Sequence, residues 1–424
     1  MSTPANRRAA GGIAVVAAGA LALAGCGASD ADTDANTGDG SAPTELSIST
    51  FNDFGYTEEL LAMYEEETGI RVIHNRAATS NDARYNLFQK LGSSGLSDIE
   101  GVEVDWFAEL MEYSDLLAPV PAGVEGRWLD WKEAAATDAD GNLVAYGTDI
   151  GPQGICFRAD LFEAAGLPSD RDEVAELFPT WDAFFDVADD YVEATGQPFI
   201  DASNSVLQGM VNQLTEIYET PDGEIIADSN SAVREAYDTV IERALPVSAY
   251  AGQWSDDWYA SMSSGEFATM LCPPWMHGII AGEAPNVDGW DVASAYPGGG
   301  SNWGGSYLVV PANGDNVEAA QALADWLTSP ETQVKAFENA GAFPSQPAAY
   351  ESESLTGYVS EYFNDAPTGQ IGIDRAESVS VEPFKGPKFF PIHDALNQAV
   401  TRVFDGLESP DDSWNTWLNE VASL

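Results

Sequence analysis

Tryptophans beside turns are the residues of this 424-residue chain whose type and position best suit a chemical task. Five fall at the predicted ends of elements or among Gly, Pro and Ser: Trp106, Trp254, Trp258, Trp275 and Trp303. A flat indole ring in a cleft fits the C–H face of a sugar ring, and burying such a ring is worth several times RT. The alternative for each ring is a structural role as a cover over the core. Trp181 and Trp326 lie within predicted helices, where core packing explains them.

Motifs for covalent catalysis or nucleotide binding are absent from the sequence. There is no G-x-S-x-G elbow, GxxxxGK loop, GxGxxG fingerprint or HExxH helix. His74, His277 and His393 are isolated, without Cys or a second His at metal-binding spacing, so we expect structural roles for them. A glycosidase-like carboxylate pair is not excluded by counting in a chain with 69 acidic residues. We therefore predict a protein that is not an enzyme, with no metal and no cofactor.

Hydrogen-bonding side chains near the aromatic rings complete a plausible small-molecule site. Asp, Glu, Asn and Arg can bind sugar hydroxyls, and charged partners contribute about 1.5–3 kcal/mol each. Apolar walls with a few placed polar groups are typical of a ligand cleft.

Alternating strands and helices should position these groups. The pattern predicts, in order, a strand at 46–51, a helix from Thr57 to Gly69, a strand at 70–74, a helix at 82–91 and a strand at 99–104. This order indicates a parallel sheet covered by helices, and ligands bind beyond the carboxyl ends of such strands. The stretches 52–56 and 103–106, which include Asp53, Phe54, Glu103, Asp105 and Trp106, are therefore predicted at the mouth of a site.

The first 45 residues have the layout of an export signal and a tether. Arg7 and Arg8 precede twelve residues, 13–24, that are all Ala, Gly, Val, Leu or Ile, which is too few to span a bilayer. Leu23-Ala24-Gly25-Cys26 is similar to a bacterial lipobox, in which the cysteine is lipidated. The alternative is an ordinary signal peptide with an incidental cysteine. Residues 27–45 carry no aromatic or large aliphatic side chain before Leu46 and are interpreted as a flexible linker.

Composition limits the partners of the protein. About 380 residues follow the linker, which suits two lobes. The formal charge of −52 opposes binding to nucleic acid or to an anionic lipid surface. If Cys26 carries lipid, Cys156 and Cys272 remain as a pair in an oxidising compartment. They are either bridged or two buried free thiols, because disulfide geometry cannot be read from sequence.

The whole chain after the linker resembles the extracellular sugar-binding lipoproteins of bacterial ABC importers, the group that includes maltose-binding protein. The likeness is carried by YGTDIG and ICFRADLFEAAGLP within residues 146–168, followed in family order by PTWDAF, GEFATMLCPPW, NWGGSYLVVP and WLTSPETQVKAFENAGAFPS. DFGY, CPPWMHG and PGGGSNWGGSYLVVP look most like actinobacterial cello-oligosaccharide binders.

The resemblance implies roles for particular residues. It implies that Trp275 stacks on a sugar ring, that Asp53, Glu103, Asp105 and Trp106 line the edge of the first lobe, and that Asp149 lies at a crossing between lobes. It extends the site to Phe343, the pair Phe157 and Arg158, and a return crossing formed by Asn302, Trp303, Gly304 and Gly305. Phe54, after the first strand, and Trp254, beside a turn, are candidate site residues from the sequence pattern itself. It also implies that Cys156 and Cys272 lie on neighbouring strands.

These observations predict a two-lobed α/β fold of the periplasmic-binding-protein type, with a hinge and with parallel-type sheets covered by helices. The expected divisions are a signal peptide at 1–25, a linker at 26–45, a first lobe at 46–150 plus 304–329, and a second lobe at 151–303 plus 330–424. The expected function is binding of a neutral oligosaccharide, cello-oligosaccharide favoured, by a monomer tethered through Cys26 to the outer face of the membrane, for delivery to an ABC permease. The alternatives are a binder of another solute, such as a glycerol phosphate diester, and a secreted glycoside hydrolase.

Overall fold

The computed structural model describes residues 43–52 and 54–424. The predicted signal peptide, Cys26, residues 26–42 of the predicted linker, and the candidate site residue Asp53 lie outside the described residues. The predicted linker ended at residue 45, whereas the first strand already begins at Glu45. The strand starts there because the carbonyl of Thr44 accepts a hydrogen bond from the backbone N–H of Arg71 on the neighbouring strand, at 3.0 Å.

Strands of the described residues form two sheets. In chain order they are β1 (Glu45–Phe51), β2 (Arg71–Ala77), β3 (Ile99–Glu103), β4 (Tyr146–Pro152), β5 (Gly154–Arg158), β6 (Ile200–Ala202), β7 (Ser248–Tyr250), β8 (Thr269–Cys272), β9 (Trp290–Ala293), β10 (Asn302–Val309) and β11 (Phe343–Pro344). The first sheet has the order β11-β4-β10-β3-β1-β2, and the second has the order β7-β6-β8-β5-β9.

Helices cover both sheets. In chain order they are α1 (Glu58–Thr68), α2 (Ser80–Lys90), α3 (Val104–Met111), α4 (Asp130–Ala135), α5 (Ala159–Ala165), α6 (Arg171–Ala175), α7 (Trp181–Thr195), α8 (Ser203–Val211), α9 (Ser231–Thr239), α10 (Asp256–Ser264), α11 (Pro274–Glu283), α12 (Val317–Leu327), α13 (Pro330–Ala340), α14 (Glu353–Thr356), α15 (Thr368–Ser378), α16 (Phe389–Phe404) and α17 (Pro410–Val421). Single 3₁₀ turns occupy Ser114–Leu116, Leu245–Val247 and Pro347–Glu351, and a π turn at Val240–Ala244 continues α9.

Local sequence signals explain where the helices begin and end. The Thr57 side chain accepts a hydrogen bond from the backbone N–H of Leu60 at the start of α1, and Gly69 ends this helix at φ 76°. The predicted helix between these two residues is therefore confirmed. Helix α16 begins at Phe389, and Pro391 is tolerated there because it sits in the first turn, where no backbone N–H donor is needed.

The sheets are mixed, which corrects the expectation of parallel-type sheets. Strands β1, β2 and β3 are parallel, as the early strand–helix pattern predicts. Strand β10 is antiparallel to both β3 and β4, and β5 is antiparallel to both β8 and β9. The difference arises at the passages between sheets: the chain leaves the first sheet through β4 and returns through β10 in the opposite direction.

Each sheet has its own apolar core, so the described chain has two lobes. Leu46, Ile48 and Leu308 belong to a core on the first sheet, and Ile155 and Phe199 belong to a larger core on the second. The sequence placed residues 330–424 in the second lobe, whereas β11 pairs with β4 in the first sheet. Phe343 in this strand is fully buried and packs against Phe337 of α13 at 5.6 Å between ring centroids, so the preceding helix accompanies it.

Cys156 and Cys272 form a disulfide, with 5.4 Å between their Cα atoms. The two residues lie on the neighbouring antiparallel strands β5 and β8, at positions close to each other in the strand pairing. The alternative of two free thiols is therefore wrong. Among the described residues, none of the helices combines the length and the apolar character that crossing a bilayer requires.

Candidate ligand-binding site

A cavity of about 880 Å³ lies between the two lobes. Its walls include Phe51 and Phe54 from the end of β1 in the first lobe, and Trp254 and Trp275 from the second lobe. A volume of this size is at the upper end of the range for small-molecule sites. The predicted site residues that line it are Phe54, Glu103, Asp105, Asp149, Trp254, Trp275, Trp303, Gly304 and Gly305.

Three tryptophans form an aromatic wall of the cavity. The rings of Trp254 and Trp275 stack at 6.0 Å with an interplanar angle of 27°, and Trp303 meets Trp275 edge-on at 5.2 Å. Trp275 follows two prolines at the start of α11, where Pro274 occupies the first helical turn. Its indole N–H donates to the carbonyl of Trp303 at 3.2 Å, which fixes the orientation of the ring. The wall therefore presents indole faces in a preset arrangement.

Trp254 has an unusual backbone conformation for an exposed aromatic residue. Its φ is 76°, in the left-handed region that favours glycine, and 38% of its surface is exposed. A residue held in this region stores strain of about 1–3 kcal/mol, which persists where the surrounding structure fixes it. Such strain occurs most often at functional sites, and here it places an indole ring in the cavity wall.

Glycines at the return crossing allow the backbones of two strands to lie close together. A Cβ atom on Gly305, which has φ 104°, would lie 2.6 Å from the carbonyl oxygen of Asp149 in β4. A Cβ atom on Gly151 would lie 1.7 Å from the carbonyl oxygen of Trp303 in β10. Strands β4 and β10 can therefore cross at this distance only without side chains at these positions. This packing brings Trp303 and Asp149 to the same cavity.

Carboxylates cluster on the first-lobe side of the cavity. Glu103 caps α3 by accepting a hydrogen bond from the backbone N–H of Asp105 at 2.9 Å. Burial, and then the neighbouring charge of Asp105, raise the pKa of Glu103 well above its ordinary value. Burial also raises the pKa of Asp149, whose carboxylate accepts from the Thr148 hydroxyl at 2.8 Å.

Two lysines offset this negative charge. Lys132 is buried, donates to the carbonyl of Ser306 at 2.7 Å, and lies 4.0 Å from the ring centroid of Tyr307. Burial lowers the pKa of Lys132 to about 7. Lys385, which precedes α16 in the second lobe, forms an ion pair with Asp105 of the first lobe. The acidic edge of the cavity is thus tied to the opposite lobe.

Neutral polar atoms without partners point to a ligand that hydrogen-bonds. Five residues that line the cavity carry a buried side-chain atom with no hydrogen bond to any described residue: Asn204 Oδ1, Gln208 Nε2, Gln253 Oε1, His393 Nε2 and Asn397 Oδ1. Buried polar atoms are nearly always paired, so a group of unpaired ones around one cavity favours an absent ligand or water. Burial lowers the pKa of His393 to about 4, which keeps its imidazole neutral at pH 7.

The sequence analysis missed these five residues and assigned His393 a structural role. The structure supports that role, since the Nδ1 atom of His393 bonds to the Tyr218 hydroxyl at 2.8 Å and its ring stacks on Phe389 at 5.4 Å, and it also places His393 among the residues that line the cavity. A signal was present in the sequence. Asn204 and Gln208 in α8, and His393 and Asn397 in α16, are polar pairs four residues apart, which place both side chains on one face of a helix.

Several predicted site residues lie away from the cavity. Trp106 is fully buried and donates its indole N–H to Ser80 at 2.9 Å. It does not lie in a loop, because α3 begins at Val104, directly after the Glu103 cap, within the stretch 103–106 predicted at the mouth of the site. Phe157 and Phe343 are fully buried in the cores of their lobes. Trp258, a further turn tryptophan, is also fully buried.

Arg158 and Asn302 act within the framework instead of lining the cavity. Arg158 forms an ion pair with Asp160 at 2.7 Å and faces the ring of Trp290 at 5.9 Å. The side chain of Asn302 accepts from the backbone N–H of Gly151 at 2.9 Å and donates to the carbonyl of Gly304 at 3.0 Å. Asn302 therefore fastens the two crossing strands, one position from the cavity residue Trp303.

Comparison with known proteins assigns this arrangement to a family. The sequence model of the bacterial extracellular solute-binding proteins matches residues 59–361. The chain belongs to this family. A crystal structure of an extracellular solute-binding protein of family 1 is 40% identical to it, with a TM-score of 0.80, over 90% of this chain and 99% of the other.

More distant relatives match most of the chain in sequence or in fold. The arabinooligosaccharide-binding protein of Bacillus subtilis (strain 168) is 24% identical in an alignment of 409 positions that covers 90% of this solute-binding protein and 92% of the relative. The binding protein associated with an ABC transporter of B. animalis subsp. lactis Bl-04, solved with β-1,6-galactobiose, has a TM-score of 0.75 at 18% identity, over 89% of this chain and 97% of the other. The two-lobed architecture is therefore that of an established binding-protein fold.

Proposed function

We propose that this solute-binding protein binds a neutral oligosaccharide between its lobes and delivers it to the permease of an ABC importer. The observation that carries the proposal is the cavity of about 880 Å³, whose walls combine three tryptophans with residues that carry buried polar atoms lacking a partner among the described residues. Indole faces suit the C–H surface of a sugar, and amide and imidazole atoms suit its hydroxyls.

The charges of the cavity favour a neutral ligand over an anionic one. Among the described lining residues, five are Asp or Glu and Arg76 is the one Arg or Lys. A phosphate ligand requires several converging basic groups, so a glycerol phosphate diester would meet repulsion here. The alternative of an acidic solute is therefore disfavoured.

Two sugar classes deserve direct comparison. The sequence likeness to actinobacterial binders favours cello-oligosaccharides. The relative from Bacillus subtilis, which aligns along 90% of this chain, is named for arabino-oligosaccharides. At 24% identity the side chains that contact the sugar can differ, so both classes belong in one binding panel.

Binding would bring the two lobes together. A ligand shifts the lobes only if it contacts both of them in the closed state. Trp275 from the second lobe and Glu103 from the first lie on the same cavity, so one oligosaccharide can meet this condition. Micromolar affinity corresponds to about −8 kcal/mol, which stacking and a few satisfied hydroxyls can supply.

Location and partners form the rest of the proposal. A lipid on Cys26 would hold the protein, as a monomer, at the outer face of the membrane near the permease. In this scheme residues 27–42 would be the tether between the lipid and the folded lobes. A Cys26→Ser variant should appear in the medium, while the unchanged protein stays with the membrane fraction.

The test of the proposal is a binding panel with the purified protein. Calorimetry and thermal shift are measured against cello-, arabino-, galacto- and malto-oligosaccharides of two to five units, with glycerol phosphate diesters as anionic competitors. We expect binding of at least one neutral series, a rise in melting temperature and no cleavage of the sugar. Release of shorter sugars would favour the glycoside hydrolase alternative, and no response to any saccharide would refute the proposal.

A further inference from the structure

Residues 251–255 form a loop between β7 and α10 that brings two unlike groups to the cavity. Gln253 and Trp254 are adjacent in this loop, and both line the cavity. The loop is anchored at its start, where the carbonyl of Ala251 accepts hydrogen bonds from the backbone N–H of Asn204 at 2.9 Å and the hydroxyl of Ser203 at 3.1 Å. The strained backbone of Trp254 is therefore supported by the start of α8.

Asp201, at the end of β6, fixes this loop from behind. Its carboxylate is fully buried, and one oxygen accepts from the side-chain amide of Gln253 at 2.8 Å and from the indole N–H of Trp258 at 3.0 Å. The other oxygen lies 3.4 Å from the hydroxyl of Ser205. A buried carboxylate with several donors is well held, and it constrains each donor in turn.

The orientation of Gln253 follows from this contact. An ionised carboxylate only accepts hydrogen bonds, so Gln253 must turn its NH₂ group toward Asp201. Its carbonyl oxygen Oε1 is then left buried at the cavity without a hydrogen bond to any described residue. Gln253 therefore holds an unpaired acceptor beside the cavity, which a donor on the ligand would satisfy.

Asp201 also supports the neighbouring ring. Trp258, which donates to Asp201, packs against Trp254 with 5.1 Å between ring centroids. Trp254 in turn stacks on Trp275. One carboxylate thus determines the direction of an acceptor and the position of an adjoining indole face.

We infer that Gln253 and Trp254 form a saccharide subsite on the second lobe, in which Gln253 Oε1 accepts a hydrogen bond from a ligand hydroxyl, and that Asp201 is the positioning residue of this subsite. This inference rests on the proposed function. Gln208 Nε2 is an unpaired donor among the described residues lining the same cavity, so hydroxyl groups, which both donate and accept, suit this cavity.

The test compares variants against the neutral saccharide that the unchanged protein binds most tightly. Gln253→Leu removes the acceptor and should raise Kd about tenfold, the usual effect of one lost hydrogen bond. Asp201→Asn can donate its own amide to Gln253 Oε1 and turn that group away, so it should raise Kd similarly. The matched control is Gln213→Leu, because Gln213 bonds to Trp181 and Pro297; its Kd should stay unchanged.

Deoxy analogues of that saccharide separate positioning from stability. In the unchanged protein, loss of one particular hydroxyl should weaken binding about tenfold. In Gln253→Leu and Asp201→Asn, the parent sugar and that analogue should bind equally. A purely structural role for Asp201 would instead weaken all analogues by a common factor.

The outcomes are distinct. An unchanged Kd for Gln253→Leu, or an undiminished effect of every deoxy position in that variant, would overturn the inference while leaving the proposed function intact. Failure of the unchanged protein to bind any saccharide would overturn both. If Asp201→Asn does not unfold cooperatively, the Gln253→Leu variant and the analogue series decide the subsite by themselves.

Discussion

Asp105 and Lys385 form an ion pair that joins the two lobes at the edge of the cavity. Asp105 lies in α3 after β3 of the first sheet, and Lys385 precedes α16 of the second lobe, with side chains 12% and 8% exposed. A second contact between the lobes is made by the guanidinium of Arg84, which lies 5.0 Å from the ring centroid of Phe390 in α16. Asp105, which lines the cavity, is therefore also part of the contact between the lobes.

Removing Lys385 should weaken ligand binding by disfavouring this arrangement. Lys385→Met leaves Asp105 unpaired next to Glu103, and a nearly buried charge without its partner is strongly unfavourable. We expect Kd to rise about tenfold and the ligand-induced decrease in radius of gyration to shrink. The control is Arg71→Met, which breaks the exposed pair with Glu45 and should change neither quantity. Equal binding by both variants would contradict a role for Lys385 between the lobes.

Truncation of Trp275 should weaken ligand binding, whereas truncation of Trp181 should lower folding stability. Trp275→Ala removes an indole face from the cavity, and we expect affinity to fall on the order of a hundredfold with little change in folding. Trp181 packs against Tyr296 and the second-lobe core, so Trp181→Ala should lower the free energy of unfolding by about 3–5 kcal/mol and leave Kd nearly unchanged. Calorimetry and denaturant titration of both variants measure the two effects. A normal Kd for Trp275→Ala would remove this ring from the site.

Glu100 should make stability depend on pH. This carboxyl is buried in β3, and burial raises its pKa to about 7, above the ordinary 4.5. Its favourable contribution is complete below pH 4.5 and is lost as the pH rises through 7, because the folded state resists ionisation. Glu100→Gln has no such loss and should be more stable than the unchanged protein by about 3 kcal/mol at pH 9, with a much smaller difference at pH 4.

Urea titrations across this pH range measure the difference between the two proteins. Glu66→Gln, at an exposed position of α1, is the matched control and should follow the unchanged protein. Parallel curves for Glu100→Gln and the unchanged protein would show that Glu100 does not ionise in this window.

The disulfide should stabilise the second lobe. It joins Cys156 and Cys272 across 116 residues of chain, and removal of a native disulfide typically costs about 2–5 kcal/mol. The double variant Cys156→Ala/Cys272→Ala should melt at a lower temperature than the unchanged protein. A thiol reductant should lower the melting temperature of the unchanged protein and leave that of the double variant as it is. A reductant effect of equal size on both proteins would point to some other cause.

Short-range patterns predicted most elements because they act within a few residues. Alternation of apolar residues predicted β1, and the Thr180 cap with the Gly196 stop delimits α7. The order of strands and helices predicted the parallel part of the first sheet. It could not predict that β10 and β11 return to this sheet antiparallel, since that pairing joins residues far apart in sequence.

Within the candidate site, the sequence by itself determined the aromatic and acidic inventory, including Trp275, Trp303 and Glu103. Only the tertiary structure decided which of the tryptophans face the cavity: Trp106 and Trp258 are enclosed by helices, whereas Trp254 is held outward by a strained backbone. The unpaired neutral atoms of Gln253 and His393 could be identified only from the structure, because segments that are distant in sequence form their surroundings. The physical reason is that residue type fixes what a side chain can bind, while long-range packing fixes its exposure and its partners.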